Sequence, residues 1–150
     1  MFSSNKPIIQ IAYAVENIIV AAENWSRRFN IGPFYYNEHI EVADSRINGI
    51  NKKFDHSSAY GWRENFMIEL IADHSKVNVH ENGIHHIAWI AENFDREAEE
   101  LIKQDCKEVL FARAGDRNGM RFAWFDPGRD IGHLYEIYDN NDSLKNFYSY

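Results

Sequence analysis

Cysteine is nearly absent from this sequence, and so is any cluster of positive charge. Cys106 is the only cysteine, which rules out an internal disulfide and excludes a disulfide-stapled secreted scaffold. We expect Cys106 to be a buried, unreactive thiol. Lys and Arg total 16 against 23 Asp and Glu, so the formal net charge is −7. Because phosphate binding needs clustered positive charge, we expect no nucleic-acid partner and no anionic membrane surface.

Long apolar runs are absent as well. No stretch approaches the roughly 20 residues that a membrane-spanning helix requires. The start of the chain, Met1 to Pro7, is polar and lacks the apolar core of a signal peptide. We therefore expect a soluble, cytoplasmic protein without a membrane partner.

The chain contains an internal repeat. Residues 10–17 read QIAYAVEN and residues 86–93 read HIAWIAEN, with four of eight positions identical. Both segments have the composition of buried strands, and each ends at an asparagine, Asn17 or Asn93, that suits a helix N-cap. A helical apolar stripe follows each: Ile18, Ala22, Trp25 and Phe29 in the first half, and Phe94, Ala98 and Leu101 in the second.

Three further extended segments follow each predicted helix. In the first half they are 34–36, 58–62 and 66–71, and in the second 108–113, 121–125 and 132–138. The prediction is an α+β fold of two tandem βαβββ modules with a mixed sheet, forming one domain over 1–150. Module 1 spans about 7–76, module 2 about 83–140, and 141–150 is a C-terminal tail. The polar stretch 42–55 is predicted to be a long connection.

Four polar residues interrupt otherwise apolar strands. Because side chains alternate along a strand, each lies on the same face as apolar or small neighbours; the four are Gln10, Glu69, His86 and Glu136. A glutamate in such a place is costly to bury unless it is paired, protonated or bound to a cation. The two glutamates occupy the last predicted strand of each half.

These motifs resemble the vicinal oxygen chelate superfamily, which includes glyoxalase I, methylmalonyl-CoA epimerase, extradiol dioxygenases and bleomycin-resistance proteins. The resemblance covers nearly the whole chain and is nearest to the epimerase and glyoxalase-like branch. The matching segments are Gln10-Ile11-Ala12, Gly83-Ile84-His85-His86, Ile68-Glu69-Leu70 and Tyr135-Glu136-Ile137.

The resemblance implies a cupped sheet that holds a divalent metal ion through Gln10, Glu69, His86 and Glu136. Three oxygen donors, one imidazole and two waters would suit Zn, Ni, Co, Mn or Mg. It further implies a glyoxalase-like isomerase, epimerase or lyase that acts on a small oxygenated substrate through an enolate-type intermediate. Glu69 and Glu136 would then be catalytic proton carriers. Related proteins often pair, so we expect a homodimer.

Two features separate the chain from particular relatives. The turn that begins at Asp126-Pro127-Gly128 differs from the tight turn of glyoxalase I, which argues against that activity. Extradiol dioxygenases bind iron through two histidines and one carboxylate, whereas this set of four contains one histidine.

Other interpretations of the same residues remain open. Glu69 and Glu136 could instead pair with Arg113 or Arg121, and His86 could be structural. A metal-free protein of the bleomycin-resistance type, which binds and sequesters an aromatic small molecule, would also suit the 15% aromatic content.

The remaining histidines show no close-spaced metal motif. We expect them to be solvated or at sheet edges: His39, His56, His74, His80 and His133. Strand alternation predicts that His85 faces the side of the sheet opposite His86. The tail, with Phe147, Tyr148 and Tyr150, is interpreted as a short helix on the sheet, a lid or part of a dimer contact.

Overall fold

A computed structural model describes residues 6–80 and 83–148 of the chain. The first half contains β1 (Gln10–Ala14), α1 (Ile18–Phe29), β2 (Tyr35–Asn37), β3 (Val42–Ile47), β4 (Ile50–Asn51), β5 (His56–Arg63) and β6 (Phe66–Asp73). The second contains β7 (Ile84–Ile90), α2 (Phe94–Lys103), β8 (Lys107–Ala114), β9 (Arg121–Asp126) and β10 (Leu134–Tyr138), followed by α3 (Asp142–Tyr148). The predicted α+β class is confirmed; the second half follows the βαβββ order, and the first half follows it with one additional hairpin, β3–β4, inserted after its second strand.

One mixed sheet runs through the described part of the chain, in the order β2-β5-β6-β1-β7-β10-β9-β8-β3-β4. In each half the first strand lies parallel to the last, β1 beside β6 and β7 beside β10. The halves join where β1 and β7 pair in antiparallel fashion. Because the four strands that open or close the modules are neighbours, the predicted polar residues lie at the centre of a cupped sheet.

Both predicted helix starts are confirmed. The side chain of Asn17 accepts a hydrogen bond from the Val20 N–H at 3.0 Å, and that of Asn93 accepts one from the Arg96 N–H at 3.0 Å. Each helix covers the outer face of its own half. Ile18 of α1 packs in a cluster with Ile68 and Leu70, while α2 packs through its buried apolar residues Phe94 and Leu101. The opposite, inner face carries the candidate site.

The prediction that 42–55 is merely a long connection is wrong. β3 and β4 form a hairpin, and β3 pairs with the edge strand β8 of the other half. A register shift between Ala43 and Arg46 interrupts the alternation that would have identified the strand. The turn at Asn48-Gly49 has φ values of 50° and 77°, the left-handed conformation for which Asn-Gly is a strong hairpin signal.

The C-terminal tail forms α3, which packs on the inner face of the sheet. The Phe147 ring meets Tyr60 and Trp62 edge-on, with centroid distances of 5.6 and 5.1 Å. Tyr150 and the side chain of Tyr148 lie outside the described residues. Among the helices of the described ranges, none is long and apolar enough to cross a membrane.

Candidate metal centre

The four predicted residues lie together on the inner face of the central strands. Ala12 is paired with both Glu69 and His86 on neighbouring strands, and Ala88 is paired with both Gln10 and Glu136. The small side chains of Ala12 and Ala88, which are fully buried, leave space between the four larger ones. Each of the four polar residues is at most 3% exposed: Gln10, Glu69, His86 and Glu136.

Three oxygen atoms surround a single nitrogen of His86. Its Nε2 lies 2.8 Å from an oxygen of Glu136, 3.2 Å from an oxygen of Glu69 and 3.1 Å from the Gln10 amide oxygen. A ring nitrogen carries at most one proton, so it can donate one good hydrogen bond to these three acceptors. The oxygens therefore have more acceptor capacity than a protonated His86 can satisfy.

Each carboxylate is held by its other oxygen. The Ser58 hydroxyl donates to Glu69 Oε1 at 2.6 Å, and the Trp124 indole N–H donates to Glu136 Oε1 at 2.9 Å. Within the described ranges, Oε2 of both glutamates has no hydrogen-bond partner, although both lie beside His86. Two buried oxygens thus point to the middle of the cluster without full compensation, which is a reason to expect a cation there.

The electrostatics of the cluster depend on His86. Burial by itself would lower the pKa of His86, but the adjacent Glu136 and Glu69 outweigh burial and raise that pKa to about 10. Burial also opposes ionisation of Glu69, but the close, positively charged His86 ring, together with the Ser58 hydrogen bond, holds the pKa of Glu69 below its usual value. In the absence of metal, the imidazolium therefore balances part of the negative charge.

Divalent metal ions fit the dimensions of this cluster. Zinc binds nitrogen and oxygen ligands at about 2.0–2.2 Å. Adjacent ligands of an octahedral ion at about 2.1 Å are then about 3.0 Å apart, close to the 2.8–3.2 Å separations around His86 Nε2. One ligand atom from each of three residues lies within 4.8 Å of the other two: Glu69, His86 and Glu136. The observed donors therefore suit the divalent ions that the family resemblance implies.

The prediction for His85 is wrong, because a bulge changes the alternation of β7. Tyr13 pairs with Ile84 and Ala12 with His86, so His85 is the extra residue. His85 consequently lies on the same side as its neighbour, with its Nδ1 2.8 Å from His86 Nδ1. The other ring nitrogen, Nε2, lies 3.6 Å from Asp73 Oδ2, a separation longer than a hydrogen bond.

One assignment of protons to the two histidines satisfies these contacts. Burial lowers the pKa of His85, so its ring is neutral and can accept at Nδ1 from the Nδ1–H of His86. His86 is then left with Nε2 toward the three oxygens, and the proton of His85 is on Nε2 toward Asp73. Such outer partners orient metal-binding histidines in general.

The other histidines depart in part from their expected positions. His56 is buried against Phe54 and Phe122, which corrects the expectation of a solvated or edge position. Burial lowers the pKa of His56 and outweighs the nearby Glu69. His80 is also largely covered and lies 2.9 Å from Asp126.

The alternative ion pairs for the glutamates are wrong. Arg121 binds Asp139 and Asp95, each at 2.9 Å, and Arg113 lies 3.6 Å from Asp44. Both arginines therefore have carboxylate partners outside the central cluster. Cys106 is buried as expected, and burial raises the pKa of its thiol.

Sequence reasoning missed most of the supporting residues. Ser58 shares its strand face with Tyr60 and Trp62, so alternation along β5 could have identified it. His85 and Asp73 carried no such signal, because their meeting depends on the bulge in β7.

Comparisons with solved structures identify proteins of the same fold. A hypothetical protein from Bacillus halodurans is 15% identical, with 93% of this chain and 97% of that chain covered and a TM-score of 0.60. Methylmalonyl-CoA epimerase from Mycobacterium tuberculosis is 16% identical, with 97% of this chain and 96% of that chain covered and a TM-score of 0.57. A single-residue variant of Streptomyces coelicolor methylmalonyl-CoA epimerase, in complex with 2-nitronate-propionyl-CoA, is 15% identical. The match covers 91% of this chain and 95% of that chain, with a TM-score of 0.54.

A comparison of the sequence with models of protein families identifies the family to which the chain belongs. No curated protein matches the sequence. The model of the Glyoxalase/Bleomycin resistance protein/Dioxygenase superfamily matches residues 9–124, which is more than half of the chain. The chain therefore belongs to the glyoxalase/bleomycin resistance protein/dioxygenase superfamily, the vicinal oxygen chelate superfamily that its strand motifs resemble.

Proposed function

We propose that this protein is a metal-dependent isomerase, epimerase or lyase acting on a small oxygenated substrate. The observation that supports the proposal is the meeting of three oxygens, two of them from carboxylates, around Nε2 of one buried histidine. In this proposal Gln10, Glu69, His86 and Glu136 hold one divalent ion. The ion would stabilise negative charge that develops on a substrate oxygen.

The two glutamates have the surroundings that proton carriers need. Glu69 and Glu136 each keep one oxygen fixed by a hydrogen bond, while the other is aimed at the interior of the cup. A fixed carboxylate can accept a proton from a carbon acid and return it with little reorganisation. Tyr60 lies beside Glu69, and Phe147 packs on the Tyr60 ring, so the aromatic residues under α3 limit water at this position.

The structural neighbours suggest a substrate class for a first screen. They include epimerases in complex with methylmalonyl-CoA and with 2-nitronate-propionyl-CoA. We infer that this chain acts on a carbon acid whose exchangeable C–H lies next to a carbonyl or carboxylate. The substrate, the expected homodimer and the cytoplasmic location remain predictions.

Metal analysis of the purified, untagged protein is the first test. The protein is incubated with Zn, Ni, Co, Mn or Mg, dialysed and analysed beside His86→Ala and Glu136→Gln. His133→Ala is the matched control, because His133 contacts Tyr135 and the Leu134 carbonyl outside the central cluster. We expect each site variant to lose one equivalent of metal relative to the control. Equal metal contents in all four proteins would contradict the proposed centre.

Proton transfer is tested separately, by nuclear magnetic resonance in D2O. Candidate carbon acids are incubated with the metal-loaded protein, and deuterium incorporation next to the carbonyl is followed. For an identified substrate, Glu69→Gln and Glu136→Gln should slow the exchange. Unchanged exchange in both variants would contradict the proton-carrier roles.

A second candidate function is metal-free binding of an aromatic small molecule. The observation in its favour is that a protonated His86, with a pKa of about 10, already balances part of the cluster's negative charge. Phe147 of α3 also forms a connected aromatic surface with three residues of β5 and β2: Tyr60, Trp62 and Tyr35. This function predicts ligand affinity that a chelator does not change, whereas a metal-dependent affinity would favour the enzyme.

A further inference from the structure

A second set of metal-binding side chains lies at one end of β5 and β6. His39 is in the turn between β2 and β3, Asp55 immediately precedes β5, and His74 immediately follows β6. His39 Nδ1 lies 2.8 and 3.0 Å from the two carboxylate oxygens of Asp55. One ring nitrogen from each histidine and one Asp55 oxygen are all within 4.8 Å of one another.

Two serines hold these three residues in position. The Ser57 hydroxyl accepts a hydrogen bond from the His39 backbone N–H at 3.0 Å and lies 2.8 Å from His74 Nε2. The Ser75 hydroxyl accepts from the Asp55 backbone N–H at 2.9 Å. The Ser57–His74 contact is of the kind that orients a metal-binding imidazole, whereas the other two contacts reach the backbone of His39 and Asp55. The three segments that carry the donors are thus tied together.

We propose that His39, Asp55 and His74 form a second metal site, which takes one divalent transition-metal ion of the zinc class. Two imidazoles and one carboxylate make up a donor set that zinc uses when a fourth position stays open. Ligand atoms about 2.1 Å from a tetrahedral ion are about 3.4 Å apart. The 2.8 Å contact between His39 Nδ1 and Asp55 needs to lengthen by about 0.6 Å to reach that separation.

The exposure of the site provides a path for the ion. The side chains of His39 and Asp55 are 59% and 40% exposed. An open cavity of about 420 Å³, lined in part by His39 and Asp55, borders the site, so water can occupy the remaining coordination position. This exposure also distinguishes the site from the buried cluster around His86, which carries two carboxylates and one imidazole.

The bound ion would connect the β2–β3 turn to the ends of β5 and β6. An exposed His–Asp pair without metal contributes little to stability, because solvent screens it. A metal ion that binds the folded protein in preference to the unfolded chain stabilises the fold by mass action. The site would therefore make the thermal stability of the protein depend on zinc concentration.

Zinc binding is measured by equilibrium dialysis with Zn²⁺ alone, in the His86→Ala background that removes the buried centre. We expect that background to retain one equivalent of Zn²⁺, and the added change His39→Ala or His74→Ala to lower the affinity at least tenfold. Adding His133→Ala to the background is the matched control and should leave binding unchanged. Retention of the full equivalent after both His39→Ala and His74→Ala would overturn the proposal.

Folding of each variant is checked by circular dichroism and thermal denaturation. If His86→Ala does not fold, the same exposed substitutions are made in the wild-type chain and the loss of one equivalent is sought there. If the exposed site binds no Zn²⁺, His86→Ala still removes one equivalent of metal from the wild-type chain. The two proposed sites are therefore tested independently. In the His86→Ala background, Zn²⁺-dependent stabilisation that persists after removal of His39, Asp55 and His74 would likewise contradict the proposal.

Discussion

Replacing His86 by alanine in the metal-free protein tests the charge balance of the central cluster. The imidazolium lies 2.8 Å from Glu136 and 3.2 Å from Glu69, and all three side chains are at most 4% exposed. Without it, two buried carboxylates face each other, a change that costs about 3–5 kcal/mol of unfolding free energy. In a chain of 150 residues, about 2–4 °C per kcal/mol corresponds to a fall in Tm of roughly 6–20 °C.

The pH dependence has a defined sign. In His86→Ala, mutual repulsion raises the pKa of at least one glutamate in the folded state. A carboxyl group whose folded-state pKa is raised stabilises the fold less as the pH rises from its unfolded pKa to its folded pKa, so the free energy of unfolding of His86→Ala should be lower at pH 8 than at pH 5. Urea denaturation of chelator-treated protein at both pH values measures this difference.

Glu136→Gln is the informative comparator for His86→Ala. It removes one negative charge, keeps the shape of the side chain, and leaves His86 paired with Glu69. We expect a loss of about 1 kcal/mol, the size of one net hydrogen bond. Equal losses in the two variants, or a loss below about 1 kcal/mol for His86→Ala at pH 8, would refute the electrostatic reasoning.

Single contacts lead to three further predictions. Asp73→Asn removes the charge beside His85 Nε2 and should weaken metal binding by about tenfold or less, because Asp73 acts on the ligand His86 only through His85; competition with a chelator measures it. Metal binding at pH 7 should release about one proton, because His86, with a pKa of about 10, must lose its Nε2 proton first; calorimetry in buffers of different ionisation enthalpy measures it. Gly61→Ala would place Cβ 2.7 Å from the Phe34 ring and should cost about 1–3 kcal/mol in urea denaturation, whereas an unchanged midpoint would show that the ring moves freely.

Periodicity was sufficient to predict the parts of the fold that repeat. The 76-residue spacing between Gln10 and His86 predicts two matching strands, and in the structure those strands are neighbours in the sheet. Each glutamate could be found because a charged residue on an apolar strand is rare. That signal depends on local sequence alone, so the two glutamates can be identified without knowing the order of strands in the sheet.

The missing parts depended on irregular backbone. Alternation along β7 fails at one bulge, and this places His85 beside His86 rather than on the other face. The hairpin of β3 and β4 was obscured in the same way by the register shift before Arg46. A period-two pattern cannot indicate where an extra residue enters a strand, because the insertion is decided by pairing with distant segments.

The second metal-binding group illustrates a different limit. His39, Asp55 and His74 are far apart in the sequence, and each lies outside a regular strand. No spacing rule connects them, since their proximity results from the antiparallel pairing of β5 with β6 and from the turn after β2. Sequence reasoning assigned both histidines to solvated positions, which their exposure confirms, while the carboxylate between them had no signal.

A proton and a metal ion would compete for the same position in the central cluster. The Nε2 proton of His86 offsets one negative charge of the cluster, but it can be directed well at only one of three oxygens. A divalent ion interacts with all of them at once and carries twice the charge, at the cost of displacing that proton. On the proposed function, the metal-free chain folds around the protonated histidine and exchanges that proton for a divalent ion. On this argument, the isomerase and the metal-free binding protein are distinguished by which cation lies between Glu69 and Glu136 at neutral pH.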